Sequence, residues 1–283
     1  MSNAAGRLYI VATPIGNLDD ITVRAIEVLR TVDRVVAEDT RHSGRLLAHL
    51  AIDRPMLSLH EHNEAEAAQR VIAHLSAGES LALVSDAGTP LISDPGYGLV
   101  RLCREQAIEV VAVPGPSALI AALSVSGLPT DRFRFEGFLP RRQHARLAHL
   151  ESLRNETVTL VFYESSHRIV DALQDMSDVF GARRRAVLGR ELTKLHETVL
   201  SAALGELLDR VRADENQRKG EFVVVLAGAD ADAAADATSM ETDALLTALL
   251  EELPLRQAAN LAARISGKKK NLLYRRALEL KAR

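Results

Sequence analysis

The sequence predicts an α/β protein: two successive units of alternating strands and helices, followed by a small basic helical module. Three observations carry that expectation. Short β-rich runs alternate with segments of helical period, the pattern of βαβ units and a mostly parallel sheet. Glycine- and proline-rich junctions directly follow several of those runs, and positive charge gathers near the end of the chain. At 283 residues the chain is about two domains long, taking ~150 residues for each. With 47% apolar and 26% charged residues, its composition is that of a globular protein with a large core, not of a disordered one.

Arg7–Ala12 reads as the first strand, and Ile21–Val32 sets apolar residues at 21, 25, 26, 28, 29 and 32 on one helical face. Val35–Ala37, Met56–Leu59 and Ser80–Val84 read as the next three strands. Asn63–Ala77 is a helix, acidic in its first turn, alanine-rich, and stopped by Gly78 at the C′ position. Glu109–Val113 is the fifth strand, and Pro114-Gly115-Pro116-Ser117 reads as a hinge, since two prolines and a glycine continue neither regular structure. A second unit then predicts a helix from Ser117, a polar helix near Arg141–Leu153, and a strand over Thr157–Tyr163. A helix over Ser166–Phe180 and strands at Arg185–Leu188 and Glu221–Ala227 complete it. Half of AGADADAAADATSM, residues 227–240, is alanine, which predicts a flexible linker that buries little. Glu241–Leu253, Leu255–Ile265 and Lys268–Arg283 read as three short helices, with Gly267 as the cap of the second. The expected organisation is an N-terminal α/β domain at 1–115, a second at 116–228, a linker at 229–240 and a helical module at 241–283.

Several function classes are disfavoured at once. The single cysteine, Cys103, leaves no disulfide framework and no cysteine-built zinc site. No apolar run approaches ~20 residues and the first residues lack a hydrophobic signal core, so a cytoplasmic protein with no membrane partner is expected. Neither GxGxxG nor GxxxxGK[ST] is present, which argues against a Rossmann dinucleotide site and a nucleotide P-loop. Net charge is −3 overall, yet Pro254–Arg283 holds nine Lys and Arg against one acid, Glu279. Arg256, Lys268, Lys269, Lys270, Arg275 and Arg276 are the candidate polyanion contacts, because clustered cations gain affinity for a polyanion by releasing its counterions. Three short helices with a glycine turn resemble a helix-turn-helix, although packing modules share that shape.

The chemistry-bearing residues sit after strands. Ser85–Gly96 places two glycines, two prolines and several short polar side chains beyond the fourth strand, where ligands of open α/β sheets bind. Thr13–Leu18 and Pro114–Ser117 end two other strands in the same way, so three loops are expected to converge on one crevice. Glu38-Asp39-Thr40-Arg41-His42 and His60-Glu61-His62-Asn63 concentrate charge and imidazoles at further strand ends. Asp39 or Thr40 equally suits a helix N-cap beside a solvated Arg41. The HxH triplet has no third ligand at metal spacing, so no metal is expected. Tyr163–Arg168 and Gly189–Glu197 repeat the pattern in the second unit, with a surface pair of Glu164 and Arg168 as the plain reading. Arg141, Arg142, Arg146 and Arg154 read most simply as a solvated face.

Taken in order, TPIGNLDDIT, AEDTR, HEHN, VSDAGTPLISDPG, VPGPSA, FYESSHR, GRELTK and KGEFVVV resemble one family from about Leu8 to Gly228. It is that of the bacterial 16S ribosomal RNA (cytidine-2′-O)-methyltransferases, a branch of the tetrapyrrole-methylase-like (class III) fold. The resemblance implies S-adenosylmethionine in the cleft between two α/β domains, a homodimer, and 16S RNA or the small ribosomal subunit as partner. The cofactor residues it implies are Pro14, Asp86, Gly88, Thr89, Pro90, Ile92, Ser93, Ser117, Ala118, Phe162, Tyr163 and Leu192. The implied reaction moves a methyl group to a cytidine 2′-hydroxyl, with positioning as the main source of rate. Glu38, Asp39, His60, Glu61 and Asp86 are the candidate bases, and Arg41 and Asn63 the groups that orient the ribose or its phosphates. Two other readings are a small-molecule methyltransferase of the same fold, acting on a tetrapyrrole precursor or similar, and a non-catalytic ribosome-assembly factor. The basic tail argues against the first, and the open glycine loop against the second.

Overall fold

The computed structural model describes residues 6–60 and 63–281. Its first half runs β1 (Arg7–Val11), α1 (Val23–Thr31), β2 (Arg34–Ala37), α2 (Thr40–His49), β3 (Met56–Ser58), α3 (Glu64–Ser76), β4 (Leu81–Val84), α4 (Tyr97–Glu105) and β5 (Glu109–Val113). These strands form one parallel sheet in the order β3-β2-β4-β1-β5. Alternation along β4 explains the layers: Leu81 and Leu83 pack with Val71, Leu75 and Leu99 from α3 and α4, while Ala82 and Val84 pack with Ala25, Leu29 and Leu47 from α1 and α2. α1 begins at the Thr22 cap, whose hydroxyl accepts from the Ala25 amide at 3.1 Å. Gly78 takes φ +95 just after α3, as its place behind the helix requires.

The second half runs α5 (Ala118–Ser126), β6 (Phe133–Phe138), α6 (Gln143–Ser152), β7 (Thr159–Ser165), α7 (Ile169–Phe180), β8 (Arg185–Arg190), β9 (Thr198–Ala203), α8 (Leu204–Ala213) and β10 (Glu221–Leu226). Its sheet has the order β6-β7-β10-β8-β9. Only β6 and β7 are parallel here; β10 runs antiparallel to both β7 and β8, and β9 to β8. The expectation of mostly parallel pairing therefore holds for the first sheet and fails for the second. β8 and β9 are consecutive strands, which an antiparallel pair can join without a crossover helix.

Leu160, Phe162, Phe222 and Val224 face α6, α7 and α8, whereas Val161, Val187, Val223 and Val225 face α5. Arg146 does not lie on a solvated face. Its side chain is 5% exposed and its Nε donates to Asp175 Oδ2 at 2.7 Å, with Asp175 1% exposed. The Glu164–Arg168 pair is likewise no surface pair, since the Glu164 carboxylate is fully buried at 3.1 Å from the Arg168 guanidinium.

α9 (Ala231–Glu252), α10 (Leu255–Ser266) and α11 (Lys270–Lys281) close the chain. The segment expected as a flexible linker is helical from Ala231. Alanine has the highest helix propensity of any residue, so an alanine-rich stretch can be helix. Leu246, Ala262, Leu273 and Ala277 form the small core of the module, and Gly267 caps α10 at φ +69. Among the described residues no helix is long and apolar enough to cross a membrane.

Candidate active site

The strands β1, β2, β4 and β5 are parallel, so the loops that follow them open on one edge of the first sheet. A cavity of about 410 Å³ lies there, within the ~300–1,000 Å³ of small-molecule sites. From the first unit it is lined by Ile15, Glu38 and part of Asp86–Asp94, and at the junction of the units by Ser117 and Ala118. From the second it is lined by residues at the ends of β6, β7 and β8 and the start of β10, including Phe138, Tyr163, Leu192 and Lys194. Both sheets thus supply walls to one space.

Local chemistry holds these loops in place. Thr13 and Gly88 exchange backbone hydrogen bonds at 2.9 and 3.0 Å, and the Thr13 hydroxyl donates to the Ser85 carbonyl at 3.1 Å. Thr89 Oγ1 donates to the Pro116 carbonyl at 3.0 Å, tying the loop after β4 to the one after β5. Gly88 sits at φ +81, and a Cβ there would stand 3.3 Å from Ile15 Cγ2. Six described non-glycine residues have positive φ, and four of them, Leu91, Ser93, Glu191 and Thr193, lie in the two loops that face the cavity. Strain of this kind costs ~1–3 kcal/mol per residue and persists where surrounding structure over-determines it, commonly at functional sites.

The candidate site residues divide. Glu38, Asp86, Gly88, Thr89, Ile92, Ser93, Ser117, Ala118, Tyr163 and Leu192 line the cavity. Pro14 and Pro90 are buried behind the loops they stiffen. Phe162 points to the opposite face of its sheet, into the core against α6 and α7, because strand alternation gives the cavity side to Tyr163. Asp39 caps α2: its Oδ1 accepts from the Arg41 amide at 2.8 Å, and its carboxylate pairs with the Arg41 guanidinium at 3.2 Å. Hydrogen bonds from Arg41 hold the Asp39 carboxyl down at about 2, which makes it a poor base at neutral pH. Asn63 Oδ1 accepts from the His60 amide at 2.8 Å and its Nδ2 donates to the Ser58 carbonyl at 3.4 Å, so its side chain pins the turn after β3. His60 belongs to that turn and does not line the cavity. Glu61 lies outside the described residues. Among the described residues no cluster of His, Cys, Asp and Glu is placed to hold a metal.

Sequence reasoning missed several groups that line the cavity, two of them Asp94 and Lys194. Asp94 is half-buried there, hydrogen-bonded to Ser85 and close to Asp86, and burial followed by that neighbouring charge pushes its carboxyl up to about 6. Lys194 reaches Glu191 at 2.9 Å and Glu221 at 2.8 Å, while its stem covers Gly16 so closely that a Cβ on Gly16 would meet Lys194 Cγ at 2.3 Å. Both belong to the polar strand-end loops, but burial and partners give them their character. On α10, α11 and the turn between them, Arg256, Lys269, Lys270 and Arg275 are exposed. Lys268 instead donates to the Thr242 hydroxyl. Arg276 is engaged by Asp243 and Glu279, an ion pair that joins α11 to α9.

Comparisons with known proteins agree with this architecture. Residues 7–208 match the family model of the Tetrapyrrole (Corrin/Porphyrin) Methylases. Residues 236–281 match the model of the RsmI C-terminal HTH domain. The chain is 55% identical to the Ribosomal RNA small subunit methyltransferase I of Pseudomonas aeruginosa, over 98% of each chain. It is also 55% identical to the protein of that name from Escherichia coli O157:H7, over 98% of this chain and 96% of the other. Among solved structures it resembles a cobalt precorrin-4 methyltransferase of cobalamin biosynthesis, at TM-score 0.60 and 18% identity over 78% of this chain and 94% of that one. It also resembles the uroporphyrin-III C-methyltransferase of Thermus thermophilus complexed with S-adenosylhomocysteine, at TM-score 0.54 and 20% identity over 78% of this chain and 97% of that one.

Proposed function

The chain belongs to the tetrapyrrole methylase family, in its ribosomal RNA small subunit methyltransferase I branch, and on that premise we propose that it methylates small-subunit ribosomal RNA from S-adenosylmethionine. The acceptor in this reading is the 2′-hydroxyl of a cytidine in 16S RNA. The observation that carries it is a two-walled cavity at the ends of parallel strands, in a chain that shares 55% identity over nearly its whole length with proteins named Ribosomal RNA small subunit methyltransferase I.

The residues present fit the cofactor. Gly88 brings bare backbone to the wall, at a φ and a spacing that a side chain would strain. Ile92 and Ala118 supply apolar surface, while Glu38 and Asp86 supply carboxylate acceptors suited to ribose hydroxyls and to a cationic centre. When bound, S-adenosylmethionine supplies a methyl group that is already activated. The chain's own work is then to place the acceptor hydroxyl and to take its proton. Asp94 suits the proton transfer, because a carboxyl at about 6 is ionised at neutral pH, yet far more basic than Asp39. Arg256, Lys269, Lys270 and Arg275 provide affinity for the RNA backbone. A homodimer and a cytoplasmic location complete the reading.

The test is transfer of labelled methyl from S-adenosylmethionine to small ribosomal subunits purified from a strain lacking this protein. Label recovered as 2′-O-methylcytidine in 16S RNA is the expected result. A protein that binds the cofactor but leaves RNA unlabelled would overturn the reading in favour of a small-molecule acceptor.

A further inference from the structure

We propose that Phe138 is the platform on which the target nucleobase stacks when RNA enters the cavity, an inference that rests on the RNA-methylation reading above. Phe138 is the last residue of β6 and lines the cavity while 55% exposed. Tyr97 and Phe133 are exposed as well, and a lone exposed ring is ordinary; what sets Phe138 apart is that its open ring forms part of the cavity wall.

The ring has one aromatic neighbour, and the backbone that carries it is fixed on both sides. It meets the Tyr163 ring edge-on, with centroids 5.6 Å apart and planes at 64°. Tyr163 is itself fixed, because its hydroxyl accepts from the Leu119 amide at 3.0 Å and its ring meets Phe135 at 4.8 Å. Behind Phe138 the chain is anchored by Arg168, whose Nη2 donates to the carbonyls of Leu139 at 2.5 Å and Pro140 at 3.3 Å. The register of β6 against β7 shifts between Phe135 and Gly137, and Gly137 stands at φ +63. Such a bulge re-aims the side chains that follow it. A Cβ on Gly137 would lie 3.5 Å from Ser93 Oγ, so the end of β6 abuts the strained loop of the first unit. Apolar burial does not explain a ring braced in this way and left open.

Charge selects the kind of guest. The cavity is lined by Glu38, Asp86, Asp94, Glu164, Glu191 and Glu221, with Lys194 as the cation among the lining residues, paired with Glu191 and Glu221. An acidic wall repels phosphate and favours a neutral, flat group with amino donors. A nucleobase turned out of its strand meets both demands, with its phosphates left outside for the basic helices. RNA-modifying and RNA-reading proteins receive splayed bases on aromatic faces in this way.

The experiment compares Phe138→Ala, Phe138→Leu and Phe138→Tyr in the full-length protein. Methyl transfer to subunits lacking the modification is measured together with calorimetric binding of S-adenosylmethionine alone. Stacking predicts that kcat/KM for subunits falls ~5- to 100-fold in the alanine and leucine variants and stays within about threefold in the tyrosine variant. Cofactor affinity stays within about twofold in all three. Unchanged transfer by Phe138→Ala would overturn the proposal, as would rescue by leucine, which keeps apolar bulk without a π face. Loss of cofactor affinity in Phe138→Ala would also overturn it, by making the ring a cofactor wall. An unsubstituted protein that methylates no RNA marks failure of the RNA reading itself, which is distinct from each of these.

Discussion

The Tyr163 hydroxyl accepts a hydrogen bond from the backbone amide of Leu119 at 3.0 Å, so a strand of the second sheet caps the first turn of the helix that leaves the first. Leu119 is the second residue of α5, and its amide is one of the four that a helix start leaves without an internal partner. Tyr163→Phe removes the acceptor and leaves the ring. We expect a loss of about 1–2 kcal/mol in urea-induced unfolding, the cost of stranding a part-buried donor. Weaker binding of S-adenosylmethionine should accompany it, since Ser117 and Ala118 at the same turn line the cavity. Unfolding curves that superimpose on those of the unsubstituted protein would show that water replaces the phenol without penalty.

Asp94 should make stability depend on pH. Its carboxyl is raised from 3.8 to about 6 by burial first and by the charge of Asp86 next, with the Ser85 hydrogen bond opposing. A carboxyl raised on folding favours the folded state while protonated. Its contribution is therefore complete below about pH 4 and is lost as pH rises through about 6. Asp94→Asn removes that loss. The variant should be more stable than the parent at pH 7.5 by about 1 kcal/mol, discounted for solvent screening of a half-buried group, with little advantage at pH 4. With Asp94 as the base, kcat of the parent should fall as pH drops through about 6, and Asp94→Asn should lose that limb along with most of the activity. Retention of that limb in Asp94→Asn would assign it to another group.

The exposed cations of the C-terminal module should act through phosphate alone. Replacing Lys269, Lys270 and Arg275 together by Glu should weaken RNA binding at low salt. It should also flatten the slope of log affinity against log salt by about 0.7–0.9 for each phosphate no longer neutralised. Substitution of Arg276 should instead loosen the module, because that guanidinium is paired with Asp243 and Glu279. Circular dichroism of α9 to α11 would register the second effect and not the first. An unchanged salt slope in the triple variant would place the RNA on another face.

Period and punctuation made much of the fold readable. Ile21–Val32, Asn63–Ala77 and the strand runs Arg7–Ala12, Ser80–Val84 and Glu109–Val113 all correspond to elements, because each is both periodic and bounded by Gly, Pro or a cap. β6 was not readable: FRFEGF interrupts its alternation with Glu136 and the Gly137 bulge. β9, an edge strand ending in small residues, lacks the apolar weight that marks a central strand. The antiparallel course of the second sheet left no local trace, since direction is settled by tertiary pairing. In the cavity, the short-residue loops at Gly88–Ser93 and Ser117 were legible as strand-end loops. The roles of Asp94, Phe138 and Lys194 were not, because burial, an open ring and a lysine stem laid over Gly16 are properties of packing. Asp39 and Asn63 show the reverse case, polar residues whose local backbone bonds absorb them.

The order of strands in the first sheet has a consequence for how the chain is made. β1 is made before both of its neighbours, β4 and β5, with Leu8 set against Leu81 on one side and Val110 on the other. At ~5–20 residues per second of synthesis, about 4–15 s separate the making of Leu8 from that of Leu81. Through that interval the run Leu8–Val11 has no sheet to join, and its apolar edge is open to other chains. Growth temperature and translation speed should therefore bear on the yield of this half of the molecule more than on the pairing of β8 with β9, which are adjacent in sequence.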